Sequence, residues 1–155
     1  MVTAPRRVAP PRATRAVALR LAGVGVIVAG ALWWHAATHE DVPLPPEGAS
    51  PEEVVGAYVA AINGRDRETL RALSTPATAE QSEVWVGTRI DDLTFLPRDD
   101  AASPGPEETS ADVPVTFVIR HGDASMTEGE TTGWTYLLVR DAATGRWLVQ
   151  DQGQG

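Results

Sequence analysis

Residues 50–66 read SPEEVVGAYVAAINGRD and carry the signals for a helix, for its beginning and for its end. Ser50 precedes a proline and stands three residues before Glu53, which is the spacing of a capping box. The apolar residues that follow recur at helical spacing: Val54, Val55, Tyr58, Val59 and Ile62. Asn63-Gly64 predicts a left-handed turn at the helix end. The stretch therefore predicts an amphipathic helix with one apolar stripe to bury.

Further helical signals follow directly along the chain. Asp66 is suited to cap a second helix, which Thr75-Pro76 would stop, with Leu70 and Leu73 facing inward. Residues 76–83 are compatible with another short helix. The sequence thus predicts two or three helices in this part of the chain.

After residue 85 the apolar period changes from helical to alternating. Strands are predicted at residues 89–96, 113–120, 132–140 and 146–151, on alternating apolar and polar positions. Between the first two strands, residues 98–110 are acidic and contain two prolines, so a surface loop is expected there. Helices followed by about four antiparallel strands predict an α+β domain over residues 50–153.

A proline-rich segment precedes the domain. Residues 39–49 contain Pro43, Pro45 and Pro46, which forbid a continued helix and favour extended chain. We expect this segment to be a linker that holds the domain semi-rigidly away from whatever precedes it.

The first forty residues have the pattern of a membrane-insertion signal. Five arginines and no acid occur in residues 1–20, and an uncharged apolar run continues to Trp33-Trp34. This bias predicts a basic cytoplasmic tail at residues 1–16, a transmembrane helix at residues 17–38 and an extracytoplasmic domain. The expected location is the cell membrane, with a single pass.

Cleavage of this segment as a signal peptide is the alternative, and it would give a secreted protein. A cleavage site needs small residues at two positions separated by one. Cutting after Ala36 or Ala37 would place Trp34 or His35 in the outer of these positions. The retained anchor is therefore the preferred prediction.

Composition limits the classes of partner. The chain has a net charge of −8, and residues 40–155 contain 21 acids against eight arginines. Such an acidic domain argues against nucleic acid as a partner. The chain has no cysteine, so disulfides and thiolate chemistry are excluded. A composition rich in alanine and glycine, with arginine and no lysine, is typical of GC-rich bacteria such as actinobacteria.

The residues at the two ends of the domain resemble a known superfamily. EVVGAYVAAINGRD at residues 53–66 is similar to the opening of nuclear transport factor 2-like (NTF2-like) domains, and GRWLVQDQG at residues 145–153 is similar to their last strand. The resemblance implies a cone, with helices in the hollow of a curved sheet and often a pocket. Members of this superfamily range from isomerases and dehydratases to binding and dimerisation modules, so the resemblance bears on fold more than on function.

No combination of residues with a catalytic signature is visible. Of the three histidines, His35 and His39 lie before the domain and His121 lies at a predicted turn. Asp91-Asp92 are neighbours on a strand, so their side chains would point to opposite faces. Asp151 in the last strand is the other candidate base. We therefore predict no catalytic residue, no metal site and no cofactor.

Four aromatic residues are candidates for lining a ligand pocket: Tyr58, Trp85, Trp134 and Tyr136. A domain of this size would equally use them as core, because each aromatic side chain buries a large apolar area. Both interpretations stay open from the sequence.

The sequence favours a non-catalytic accessory or interaction module on the outer face of the membrane. Its expected partners are the membrane, through residues 17–38, and another membrane or cell-envelope protein, and a dimer is also compatible with the sequence. Binding of a small apolar ligand is the first alternative. An enzyme that uses Asp91 or Asp151 as base is the second.

Overall fold

The computed structural model describes residues 39–97, 105, 107–121 and 126–154. All described residues belong to one compact unit, His39–Gly155. The predicted tail and transmembrane helix lie outside the described residues. Among the described residues, no helix is both long and apolar enough to span a membrane.

The first helix, α1, spans Pro51–Gly64 and begins as the sequence predicts. The Ser50 hydroxyl accepts a hydrogen bond from the Glu53 N–H at 3.2 Å, and the Glu53 carboxylate accepts from the Ser50 N–H at 2.7 Å. This reciprocal pair satisfies two backbone donors that the helix leaves free. The left-handed residue at the end is Arg65, with φ of 57°, one position later than expected.

Two short helices and a 3₁₀ turn follow α1. Helix α2 spans Arg67–Ala72, helix α3 spans Pro76–Ser82, and the 3₁₀ turn covers Glu83–Trp85. The side chains of Asp66 and Thr75 cap α2 and α3 at Thr69 and Thr78, respectively. The third helix, which the sequence left open, is present.

Four strands form one antiparallel sheet in chain order. They are β1 (Arg89–Phe95), β2 (Ser110–Arg120), β3 (Thr131–Arg140) and β4 (Trp147–Gly153). The sheet order is β1-β2-β3-β4. The prediction of an α+β domain with an antiparallel sheet of about four strands is confirmed.

Helices α1 and α2 contribute apolar side chains to a core on one face of the sheet, the inner face, and α3 adds the buried polar residues Thr78 and Ser82. The largest fully buried side chains include Tyr58 and Ile62 of α1, Phe117 and Ile119 of β2, and Tyr136 of β3. Alternate residues of β2, from Ala111 to Ile119, are buried against the helices. The period-two pattern of the sequence therefore marks the buried face correctly.

Irregular pairing interrupts the sheet at two places. The β1–β2 register shifts between Asp91 and Thr94, where Asp92 has a positive φ of 55°. The β3–β4 register shifts between Leu137 and Leu138, which leaves Gln150 as the extra residue of β4. Such bulges bend a strand and change which side chains face inward.

The proline-rich segment lies on the helices and has partly buried residues. Its backbone is hydrogen-bonded to the end of α1, from the Glu40 N–H to the Gly64 carbonyl at 2.9 Å. The Val42 N–H donates to the Asp66 carboxylate at 2.9 Å, and the Thr69 hydroxyl donates to the Val42 carbonyl at 2.8 Å. The segment was expected to be a semi-rigid linker, and its extended chain docks on the folded surface through these hydrogen bonds. Within the described residues it forms part of the domain.

Candidate functional site

The predicted pocket residues Tyr58 and Tyr136 lie in the core and touch each other. Their ring centroids are 5.7 Å apart in an edge-to-face arrangement, and their exposed fractions are 0% and 1%. Burial raises the pKa of Tyr58 to about 12, although hydrogen bonds from Ser82, Gln152 and Ser74 act in the opposite direction. Burial also raises the pKa of Tyr136. The two rings pack against each other in the core.

The other predicted pair, Trp85 and Trp134, also packs edge to face. Their ring centroids are 5.5 Å apart, and Phe117 contacts Trp134 at 6.1 Å between centroids. Both tryptophans are only partly buried. The indole N–H of Trp134 is shielded from solvent and has no hydrogen-bond partner. The structure therefore joins the four predicted residues as two contacting pairs.

The bulge in β4 determines which polar residue reaches Tyr58. Strict alternation would place Asp151 on the same face as Trp147 and Val149. Because Gln150 is an extra residue, Gln152 points inward instead and its side-chain amide donates to the Tyr58 hydroxyl at 3.2 Å. Asp151 is exposed, so this candidate base lies outside the core.

The remaining acid–base candidates lie at the surface. Asp91 forms ion pairs with Arg89 at 2.9 Å and with Arg120 at 3.1 Å. Its neighbour Asp92 is exposed at the bulge of β1. His121 directly follows β2, with a positive φ of 58° and a side chain that is 78% exposed. Within the described ranges, no three acidic or histidine side chains are grouped closely enough to hold a metal ion.

One open groove runs along the docked proline-rich segment. It has a volume of about 300 Å³ and its lining includes His39, Asp41, Asp66 and Glu68. Burial alone would raise the pKa of Asp66, but hydrogen bonds from Thr69 and Val42, together with nearby His39, hold it below the ordinary value of 3.8. Asp66 is already used to cap α2 and to hold the segment.

A second groove lies beside the start of α1. It has a volume of about 270 Å³ and is lined by residues of the proline-rich segment, of α1 and of the β3–β4 hairpin, among them Glu53, Arg140, Gly145 and Trp147. The Arg140 guanidinium lies 4.5 Å from the centre of the Trp147 ring. The Nε of Arg140 is buried and has no hydrogen-bond partner.

The outer face of the sheet is the other candidate surface, and no described helix packs on it. On this face Leu137 is 36% exposed, and Val139 and Leu148, which pair with each other across β3 and β4, are half-buried. Leu137 pairs across the strands with Asp112 on one side and with Asp151 on the other. An apolar side chain thus lies between two carboxylates at this point of the face.

Two residues with structural roles were not predicted. The Asn63 side chain donates to the Ile90 carbonyl and accepts from the Ile90 N–H, both at 2.8 Å, and so pairs with the edge of β1. Gly64 leaves room for Glu40, whose carbonyl oxygen would be 2.9 Å from an added Cβ. The Asn-Gly pair was visible in the sequence, but its partners are distant in the chain.

The described residues define an α+β protein with three helices and a four-stranded antiparallel sheet. No known protein family matches the chain, and neither does any curated protein. A similar fold occurs in a SEC-C motif containing protein from Rhodopseudomonas palustris, whose structure was solved in solution. The TM-score is 0.54 at 15% identity, over 71% of this chain and 82% of that chain. This likeness shows the fold alone.

These findings correct the superfamily assignment made from the sequence. The NTF2-like resemblance is wrong, since no family matches and the similar solved structure is a SEC-C motif protein. The residues that suggested it have local explanations: Asn63 pairs with Ile90, Gly64 admits Glu40, and Asp66 caps α2. Such features stabilise any helix pair packed on a sheet and do not identify a superfamily.

Proposed function

We propose that this chain is a membrane-anchored interaction module whose domain lies outside the cell membrane and has no catalytic activity of its own. The support for its location is the sequence of residues 1–38, with its arginine-rich start, its apolar run and its poor cleavage positions. Retention of this segment distinguishes the proposal from secretion of a processed chain.

The observation that carries the proposal is the outer face of the sheet. Apolar side chains on this face are half-buried or exposed, whereas the inner face is covered by helices. Leu137, Val139 and Leu148 are neighbours on this face, and exposed apolar side chains next to charged ones are typical of protein interaction surfaces. The edge-to-face packing of the predicted pocket residues favours this use over binding of a small apolar ligand between them.

The charges on this face indicate the kind of partner. Leu137 lies between Asp112 and Asp151, and these carboxylates are exposed. A second copy placed symmetrically over Leu137 would bring carboxylates close to carboxylates, which is unfavourable. A membrane or cell-envelope protein that presents an apolar side chain flanked by basic residues complements the face better.

Photo-crosslinking in the cells that make the protein tests this proposal. A photoreactive residue in place of Leu137 is expected to give one defined heavier adduct, because the partner covers that position. The matched control replaces Ala60, which is exposed on α1, and it is expected to give none. Identical adducts from both positions, or none from Leu137, would contradict the proposal. An adduct with the mass of two chains would show a homodimer instead.

A further inference from the structure

Arg140 differs from the other partly buried or paired arginines in the described part of the chain. Four described arginines pair with a carboxylate: Arg71 with Glu83, Arg89 and Arg120 with Asp91, and Arg146 with Glu47. Among the described residues Arg140 has no such partner, although it is half-buried and the domain is strongly acidic. Buried charges in proteins are normally paired, so its isolation requires an explanation.

The hydrogen bonds of this guanidinium are also incomplete. A guanidinium has five N–H donors. In Arg140 one of them makes a long contact of 3.5 Å with the Gly105 carbonyl, and the buried Nε has no acceptor. The stack on Trp147, at 4.5 Å from the ring centre, fixes the plane of the group. The donors are therefore oriented but underused.

The groove beside this guanidinium is large enough for a small ligand. Its volume of about 270 Å³ is near the lower end of small-molecule sites. Its lining combines small residues, such as Gly48, Ala49 and Gly145, with the Trp147 ring. The capping box already uses the Ser50 and Glu53 N–H groups at the start of α1, and Arg140 supplies a positive charge to the groove lining.

We propose that this groove binds a carboxylate group through the Arg140 guanidinium, with the small remainder of the ligand against Trp147. A planar carboxylate matches the fork of N–H donors. The surrounding acidic surface disfavours polyanions, which makes a single carboxylate the suitable charge. The carboxylate has two possible sources, a free small organic acid and the C-terminus of a polypeptide. This site lies apart from Leu137 and is independent of the proposed outer-face interaction.

The test uses the full chain and NMR spectra of its backbone, arginine and indole N–H groups. N-acetylalanine imitates a polypeptide C-terminus, acetate imitates a free acid, and N-acetylalaninamide is the uncharged control. Saturable shifts at Gly145 and at the Trp147 indole are expected with the carboxylates and not with the amide. Tighter binding of N-acetylalanine than of acetate would assign the site to a polypeptide terminus, and the reverse to a free acid.

Variants separate the charge of Arg140 from the shape of the groove. Arg140→Gln is expected to weaken binding at least about tenfold, since a charge-assisted hydrogen-bond pair is lost. Arg65→Gln, a change at an exposed arginine outside the groove, should leave binding unchanged. Glu53→Gln keeps the capping hydrogen bond and removes a negative charge from the groove, so it should tighten binding.

Three results would overturn the proposal. One is the lack of saturable shifts up to about 50 mM ligand, well above the millimolar range of weak binding. Another is an equal response to the carboxylate and to the amide. The last is unchanged binding by Arg140→Gln. Should that variant fail to fold, the comparison of carboxylate with amide on the unaltered chain still decides the question.

Discussion

At the level of single residues, helix α1 is held by one local motif at its start and by contacts with distant residues at its end. The capping box at Ser50 and Glu53 was predictable because both partners are three residues apart. Asn63-Gly64 was predicted as a left-handed turn, whereas its residues serve contacts with Ile90 and Glu40, 27 and 24 positions away. A local motif can be recognised from the sequence, but a distant partner cannot.

The close approach at Gly64 leads to a direct stability prediction. Gly64→Ala is expected to lower the free energy of unfolding by about 1–3 kcal/mol, because the new methyl group overlaps a backbone oxygen that cannot move freely. Gly56→Ala is the matched control within the same helix, where an added Cβ meets nothing within 4 Å. It should stabilise the domain by about 0.5–1 kcal/mol. Urea unfolding followed by circular dichroism measures both, and equal effects of the two changes would refute the docking of Glu40 on α1.

At the scale of helices and strands, the positions of these elements could be predicted from the sequence, whereas the strand bulges could not. Predicted and observed strands agree closely because alternation of apolar residues reports burial. The bulge at Gln150 could not be foreseen, since it depends on the register with β3. Its consequence is that Gln152 and not Asp151 faces Tyr58. The docking of residues 39–49 was equally unforeseen, because extended chain looks the same in sequence whether free or packed.

The packing of α1 on β3 predicts at which pH the tyrosines ionise and the protein loses stability. The chain has two tyrosines, Tyr58 and Tyr136, and both are buried. An unfolded tyrosine ionises near pH 10, whereas the pKa of Tyr58 in the folded chain is about 12. Since the folded pKa is raised, this contribution to stability is fully present below about pH 10. It is lost as the pH rises through about 12.

Ultraviolet absorbance of phenolate measures this titration. We expect almost no phenolate signal at pH 10.5, a rise only near pH 12, and unfolding together with that rise. The control is the same titration in concentrated urea, where the tyrosines should ionise with a midpoint at about pH 10. If one tyrosine ionised at about pH 10 while the protein stayed folded, that residue would line an open pocket.

At the scale of the whole molecule, charge is divided sharply along the chain. Residues 1–20 hold five arginines and no acid, whereas residues 40–155 hold 21 acids and eight arginines. From this division of charge the sequence predicts an extracytoplasmic domain. Its apolar periodicity predicts the α+β fold class. The surface that such a partner would cover could not be predicted, because the outer face is assembled from three strands.

Labelling of single cysteines in intact cells tests the central claim most directly. The chain has no cysteine of its own, so each introduced thiol reports one position. The variants are Thr14→Cys in the basic tail, Ala60→Cys on α1 and Leu137→Cys on the outer face, each treated with a membrane-impermeant maleimide. Ala60→Cys should label in intact cells, Thr14→Cys only after lysis, and Leu137→Cys more slowly in cells than in the purified protein. Protection of Ala60→Cys until lysis would contradict the extracytoplasmic location, and equal labelling of Leu137→Cys in both settings would contradict a covered outer face.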